Sequence, residues 1–415
     1  MQGEIIAIGN ELTSGRISNT TSGFAARHLF AAGYDIYAMH TIGDSPALIG
    51  EALKRAISRV DFVLVTGGLG STDDDLTTEA VSKALGRPTI PNLDILSQIR
   101  NHLDSISAPP VSPLEKLAWL PQGAEALTIQ SNMAGYQLIH DNKPIFFLPG
   151  VPDQMQTLLL EQVLPRLAAW NQGRQLTTRQ RIYKVIGMNE DEINRRIAGL
   201  VLDSKIDIGY YPVFPEVHLS LIVRAPIDTD PDPLFEDACQ AIEKSLAGVL
   251  YGTDQESLAS VTGQLLTATN LHLATAESCT GGLIGQLLTS VAGSSRYFLG
   301  GVIAYANSMK TDYLNVSEQL LASHGAVSRE VATAMAIGIR DRSKADIGIA
   351  VTGIAGPAGG TIEKPVGTVY IGMATKNNAQ THLFHFVGSR QQIQEITAKT
   401  ALDLVRHYLL QQSGS

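Results

Sequence analysis

The stretch ATAESCTGG, Ala274 to Gly282, sets Ser278, Cys279 and Thr280 in a row, behind Glu277 and ahead of Gly281 and Gly282. Each of the three carries a hydroxyl or thiol that can attack a carbonyl or donate to an anion. A nucleophile needs a base within hydrogen-bond reach. Glu277 is adjacent, and adjacent residues on an extended segment point to opposite faces, so it is a poor base for Ser278. A free cysteine such as Cys279 is more often a small buried packing residue than a nucleophile. The row is therefore either a nucleophile served by a distant base or a cradle of hydroxyl and backbone donors at a helix start.

A second stretch, GSSRYFLGGVIAYANSMKTDYL (293–314), offers Ser294, Ser295, Tyr305 and Lys310. The spacing predicts a helix with Lys310 in its first turn, capped by Asn307 or Ser308. A cation there opposes the helix dipole, which pulls its pKa down and favours a neutral amine able to act as a base. The bland readings stand beside this one. Lys310 reads as a solvent-exposed lysine, the two serines as turn residues, and Tyr305 as a strand tyrosine packed in the core with a satisfied hydroxyl. Sequence spacing does not join these groups.

A third stretch, TGGLGSTDDDLT (66–77), places Gly67, Gly68 and Gly70 after a buried strand. Backbone N–H groups in such a loop suit phosphate or carboxylate. Asp73, Asp74 and Asp75 are expected in the first helical turn, with Ser71, Thr72 or Asp73 as its cap. The sharper reading puts a divalent metal on Asp74 or Asp75, bridging a phosphate. GNELTSG (9–15), with Glu11, and PGVPDQ (149–154), with Pro149 and Gly150, also leave the carboxyl ends of predicted strands. Ligands bind at those ends in open α/β sheets.

The elements that must position these residues are legible as alternating strand and helix patterns. GEIIAIG, DFVLVTGG and KPIFFLPG are continuous apolar runs, as in strands buried on both faces. Helical runs separate the first two, which argues for a parallel sheet at 1–170 with helices on both sides. From 175 to 250 the pattern is β-α-β-β-α, a small α+β module. From 255 a second α/β sandwich begins, in which Ser328 can cap a helix and a long helix ends the chain. The expected fold class is α/β: two three-layer α/β/α domains joined by the small module.

Composition narrows the function. The 415 residues are 44% hydrophobic and 17% charged, with net charge −9 and no Lys/Arg cluster, which argues against nucleic acid as a partner. Two cysteines, Cys239 and Cys279, have no zinc-type spacing and point to a reducing, cytoplasmic setting. The N-terminus reads as a first strand and not a signal peptide, and no apolar run reaches the length of a membrane span.

The segments IGNELTSG, TGGLGSTDDDLT, LPGVP, ATAESCTGG, GSSRYFLGGVIAYANSMK, HGAVSREVA, AVTGIAGPAGGT and EKPVGTVYIG resemble, in order along the whole chain, those of the CinA (competence/damage-inducible protein A) family. The third-domain motifs also resemble stand-alone nicotinamide mononucleotide (NMN) deamidases. The resemblance implies an N-terminal domain similar to molybdopterin-binding proteins, a KH-like middle module and a C-terminal amidohydrolase. It implies hydrolysis of NMN to nicotinic acid mononucleotide and ammonia in pyridine nucleotide salvage. In that scheme Ser295 is the nucleophile, Lys310 its base and Tyr305 a helper. Arg390 assists, in VGSRQQ where the family usually has GDR. No metal or cofactor is needed for this reaction. Ser278, Cys279, Thr280, Gly281, Gly282, Thr352 and Gly353 become substrate-binding and oxyanion candidates.

For the first domain the resemblance implies an ADP-ribose pyrophosphatase using a divalent metal (magnesium, manganese or cobalt) at Asp74 and Asp75. Departures from the family's pattern are GST for GPT, TIQSNMAG (128–135) for NPVGTAPG, and PGVPDQM, with Gln154 in place of a glutamate. The resemblance also suggests a homodimer. A third reading is a non-catalytic nucleotide-binding regulator of competence or DNA repair. KH modules clamp nucleic acid with a GXXG loop, and 175–250 contains none.

Overall fold

The opening apolar run folds as β1 (Gln2–Ile8) in a computed structural model that describes residues 1–105, 112–129, 132–171, 176–200, 202–226 and 228–413. In chain order follow β2 (Asp35–Ile42), β3 (Phe62–Thr66), β4 (Thr89–Pro91), β5 (Trp119–Pro121), β6 (Glu125–Ile129), β7 (Asn132–His140) and β8 (Lys143–Leu148). Next come β9 (Leu176–Ile186), β10 (Ile206–Val213), β11 (Glu216–Pro226) and β12 (Leu250–Thr253). The last five are β13 (Leu273–Glu277), β14 (Phe298–Ile303), β15 (Ile347–Gly353), β16 (Thr368–Ala374) and β17 (Ala379–His385). The chain divides into two compact units, 1–180 with 222–235 and 181–221 with 236–415.

The first unit carries a sheet of order β2-β1-β3-β8-β7-β6. Its first four strands are parallel, as the apolar runs predict, and β7 and β6 add antiparallel pairing. Side chains alternate between two cores. Ile6, Ile8, Val63, Val65 and Phe147 pack on one face, and Ile5, Phe62, Leu64, Phe146 and Leu148 on the other. Covering both faces removes the polar alternation a half-exposed strand would show. Of the segment 128–135, Gln130 and Ser131 lie outside the described residues. A small sheet of order β10-β11-β9-β12 belongs to the α+β module, whose helix Glu190–Ile197 starts with a capping box between Asn189 and Glu192.

The C-terminal sheet runs β14-β13-β15-β16-β17. The first three strands are parallel and the last two antiparallel, so this is a mixed α/β fold. Its two faces differ in side-chain size. Leu273, Ile347, Ile349 and Val351 meet the helices Leu258–Thr269 and Arg390–Ser413 in one core. Ala274, Ala276, Ala350 and Ala374 face the helix Arg329–Ser343 in another. Small residues let that helix approach closely: a Cβ at Gly348 would lie 2.2 Å from the Ala336 carbonyl oxygen. Ser328 caps the helix as expected, accepting from the Val331 N–H at 3.3 Å. Among the described residues no helix is long and apolar enough to cross a membrane.

Candidate active site

In the C-terminal sheet β13 and β14 are parallel and in register, with Glu277 opposite Ile303. The residues that follow each strand therefore emerge at the same sheet edge. Ser278 follows β13, and Ala304 and Tyr305 follow β14 before the helix Asn307–Leu314. Lys310 sits in the first turn of that helix and turns back under the edge. It is 1% exposed, which removes the solvent-exposed reading. Its Nζ lies 2.7 Å from the Ala304 carbonyl oxygen, 3.1 Å from that of Tyr305 and 3.3 Å from Ser278 Oγ. Burial pulls the Lys310 pKa below its ordinary value, because the charged form loses hydration. A neutral amine has two protons and one lone pair. In the charged form Nζ donates to all three oxygens; in the neutral form two protons suffice for the carbonyls and the lone pair is free to face Ser278 Oγ. The helix cap is Ala306, without a side-chain bond, and not Asn307 or Ser308.

Glu277 explains why the loop holds its shape. Its carboxylate is 2% exposed and accepts from Thr280 Oγ1 at 2.8 Å and from the backbone N–H groups of Gly282, Ile284 and Gly285 at 3.0, 3.0 and 2.8 Å. It caps the start of the helix Leu283–Thr289 and is not a base. Gly281 and Gly282, at φ +63° and +103°, turn the chain into that helix. The amides do not all form an open cradle: Ser278 N–H donates to Val351 O at 3.0 Å and Gly281 N–H to Ser278 O at 3.1 Å. Burial pushes the Cys279 thiol up to about 12, so it stays protonated near neutrality. Gln394 of the last helix holds the Cys279 carbonyl at 2.8 Å.

Ser295 is placed elsewhere. It is exposed, in the short turn Ser294–Arg296 that precedes β14, whereas Lys310 lies beyond the other end of that strand. A six-residue strand separates them by about 20 Å. Within this chain Ser295 and Lys310 are therefore not brought together, and the serine in reach of the amine is Ser278. Tyr305 lies past the end of β14 and is 60% exposed, which removes the reading of a strand tyrosine packed in the core. Its hydroxyl accepts from Arg390 Nη2 at 2.9 Å, and Arg390 Nη1 donates to Gly356 O at 2.9 Å. Thr352 turns its hydroxyl onto the Ala326 carbonyl at 2.7 Å and supports the loop there. At Gly353, the end of β15, a Cβ would meet Val369 at 2.7 Å, so packing accounts for this glycine. A cavity of about 750 Å³ opens beside the loop, lined by Thr280, Gly281, Gly282, Gln286, Arg390 and Gln394 among others.

The first unit gathers its own candidates. A cavity of about 480 Å³ at the carboxyl ends of β1, β3 and β8 is lined by Glu11, Gly67, Gly68, Gly70, Asp74, Asp75, Pro149 and Gly150, together with Asp44 and Gln154. The acids are not in the first helical turn, because the helix begins at Thr77 with Leu76 as its cap. Asp75 instead closes a turn of its own, accepting the Thr72 N–H at 3.0 Å and the Thr72 hydroxyl. Gly67 is required by backbone crossing: a Cβ there would lie 2.2 Å from Ile8 O, and its N–H donates to Leu148 O at 3.0 Å. Among the described residues no three His, Cys, Asp or Glu side chains cluster as a metal cage.

Three family models match the chain in succession: "Probable molybdopterin binding domain" over residues 4–169, "Damage-inducible protein CinA KH domain" over 180–252 and "CinA C-terminal domain" over 255–409. A CinA-like protein of Desulfotalea psychrophila is 59% identical over 98% of this chain and 99% of its own length. The chain belongs to the CinA family. A second CinA-like protein, from Syntrophotalea carbinolica, is 40% identical over 98% of both chains. Among solved structures, the competence/damage inducible protein CihA from Agrobacterium tumefaciens is 43% identical over 37% of this chain and 93% of its own, with a TM-score of 0.36.

In this CinA-family chain the Ser278–Lys310 contact was within reach of sequence reasoning. Both residues follow the carboxyl ends of strands that read as parallel, whereas Ser295 precedes its strand. The roles of Glu277 and Gln394 had no such signal, since each depends on where a turn folds back.

Proposed function

We propose that the C-terminal domain hydrolyses a primary carboxamide, that of nicotinamide mononucleotide, through Ser278 and Lys310. The observation that carries this reading is the approach of buried Lys310 Nζ to Ser278 Oγ at 3.3 Å. Lys310, neutral, takes the Ser278 proton as Oγ bonds to the amide carbon. Collapse breaks the C–N bond, and the proton held by Lys310 leaves with ammonia. Water, deprotonated by the same amine, then releases nicotinic acid mononucleotide from the seryl ester. Arg390 and the cavity beside the Thr280–Gly282 loop are the candidate seat for the ribose phosphate. The deciding experiment incubates purified full-length protein with nicotinamide mononucleotide and follows ammonia and the product acid. Turnover should persist in chelator; no ammonia above a protein-free control overturns the reading.

A second reading concerns the first unit: metal-assisted cleavage of ADP-ribose to AMP and ribose 5-phosphate. It is favoured by the convergence of Glu11, the glycine loop, Asp74, Asp75 and Pro149-Gly150 on one cavity. With Asp75 and Asp44 each already accepting a hydrogen bond, the donor set fits a hydrated magnesium-type ion shared with phosphates and not a closed zinc cage. Asp74 and Asp75 would hold the ion, which when bound would offset charge on the pyrophosphate. The chain's own glycines keep the loop low enough for phosphates to approach. AMP release from ADP-ribose, lost in Asp74→Ala and Asp75→Ala, tests it.

A further inference from the structure

A second, smaller cavity of about 330 Å³ adjoins the glycine-loop cavity of the first unit. The two share Gly68, Leu69, Gly70, Asp75 and Leu117 as walls, so they are neighbouring compartments of one cleft. On its far side the smaller compartment is bounded by Trp119, Leu120 and Thr89, with Thr78 and Glu79 from the helix Thr77–Leu85. Trp119 begins β5, paired through β4 with Pro91, and is 45% exposed. An indole this exposed on a cavity wall offers flat apolar surface to a ligand. Lys116 lines the smaller compartment beside the shared wall residue Leu117, its Nζ donating to the Thr72 carbonyl at 2.9 Å. It thus brings a positive charge to the turn that carries Asp74 and Asp75.

We infer that this compartment is a base-binding subsite, in which the base of a nucleotide stacks on Trp119 while its phosphates lie toward the glycine loop and Lys116. The inference rests on the nucleotide reading of the first unit but not on hydrolysis there. A flat aromatic face suits any base, because each has a π-face. The polar edge selects among them. The Glu79 carboxylate is an acceptor only, so it suits an exocyclic amine such as that of adenine. A nucleotide without its base loses the stacking and keeps the phosphate contacts.

The chain has two tryptophans, Trp119 and Trp170, and both lie in the first unit, so intrinsic fluorescence reports on it. The experiment titrates full-length protein with AMP, and separately with ribose 5-phosphate, in wild type, Trp119→Leu and Trp170→Phe. AMP should quench wild type and Trp170→Phe, and binding measured by calorimetry should weaken roughly tenfold to a hundredfold in Trp119→Leu. Ribose 5-phosphate should bind wild type and Trp119→Leu alike. Unchanged AMP affinity in Trp119→Leu, with AMP still bound, overturns the subsite and leaves the nucleotide reading standing. Failure of both ligands to bind at millimolar concentration overturns both. Glu79→Gln, which lies on the surface of a helix, provides the second arm: it should weaken AMP more than inosine monophosphate, which has no exocyclic amine. Equal effects on the two count against the orientation of the base.

Discussion

On the proposed reading Ser278 and Lys310 carry the chemistry as a pair, and each is tested by a different signature. Ser278→Ala removes the nucleophile, so ammonia release from nicotinamide mononucleotide should fall to background. Ser295→Ala, in an exposed turn at the other sheet edge, should keep nearly full turnover; loss of activity there would restore it as a candidate. Lys310→Met should lower kcat by about 10²- to 10⁴-fold, the usual contribution of a general base. In wild type, kcat/KM should rise with pH as Lys310 loses its proton, at a pKa below that of ordinary lysine. Stability follows the same sign. A lysine with a lowered folded pKa binds fewer protons when folded, so stability should climb as pH rises through that pKa and level off near the unfolded value of about 10.4. Chemical denaturation across pH should find this slope in wild type and not in Lys310→Met.

At the scale of elements, the turn from β13 into the helix Leu283–Thr289 is held by one carboxylate. Four donors converge on Glu277, and an amide in its place turns an N–H₂ toward at least one of them. Glu277→Gln should cost about 1–3 kcal/mol of stability, by denaturant melts. It should also lower kcat more than it raises KM, since the displaced loop carries Ser278 away from the Lys310 amine. Unchanged kcat with lowered stability would assign Glu277 to folding alone. The strand and helix order was legible from apolar runs and caps, Ser328 among them. The helix starts were not. Asp75 bonds back to Thr72 and delays the helix to Thr77, and Ala306 precedes a helix without any side-chain cap. In the first case local hydrogen bonding competes with the propensity that sequence reading relies on.

For the whole molecule, two units with separate candidate sites imply separable chemistries. Ser278→Ala should leave AMP release from ADP-ribose unchanged, and Asp75→Ala should leave ammonia release unchanged. An effect of either variant on the other reaction would show that the sites are coupled. The sequence by itself determined the class of fold and the family, because buried strands and glycine loops have strong local signatures. It also placed Glu11, Gly67, Asp74, Asp75 and Gly150 at strand ends, and those residues do share a cavity. Only the tertiary structure decided which serine meets Lys310. The family resemblance paired Lys310 with Ser295, and sequence spacing joined it to neither serine. Parallel strands in register place Ser278 beside it, by bringing the end of β13 beside the end of β14 and leaving Ser295 at the opposite edge. The ATAESCTGG row is thus both parts of the alternative it posed: Glu277 and the glycines build the turn, and Ser278 is the hydroxyl that the turn presents to the buried amine.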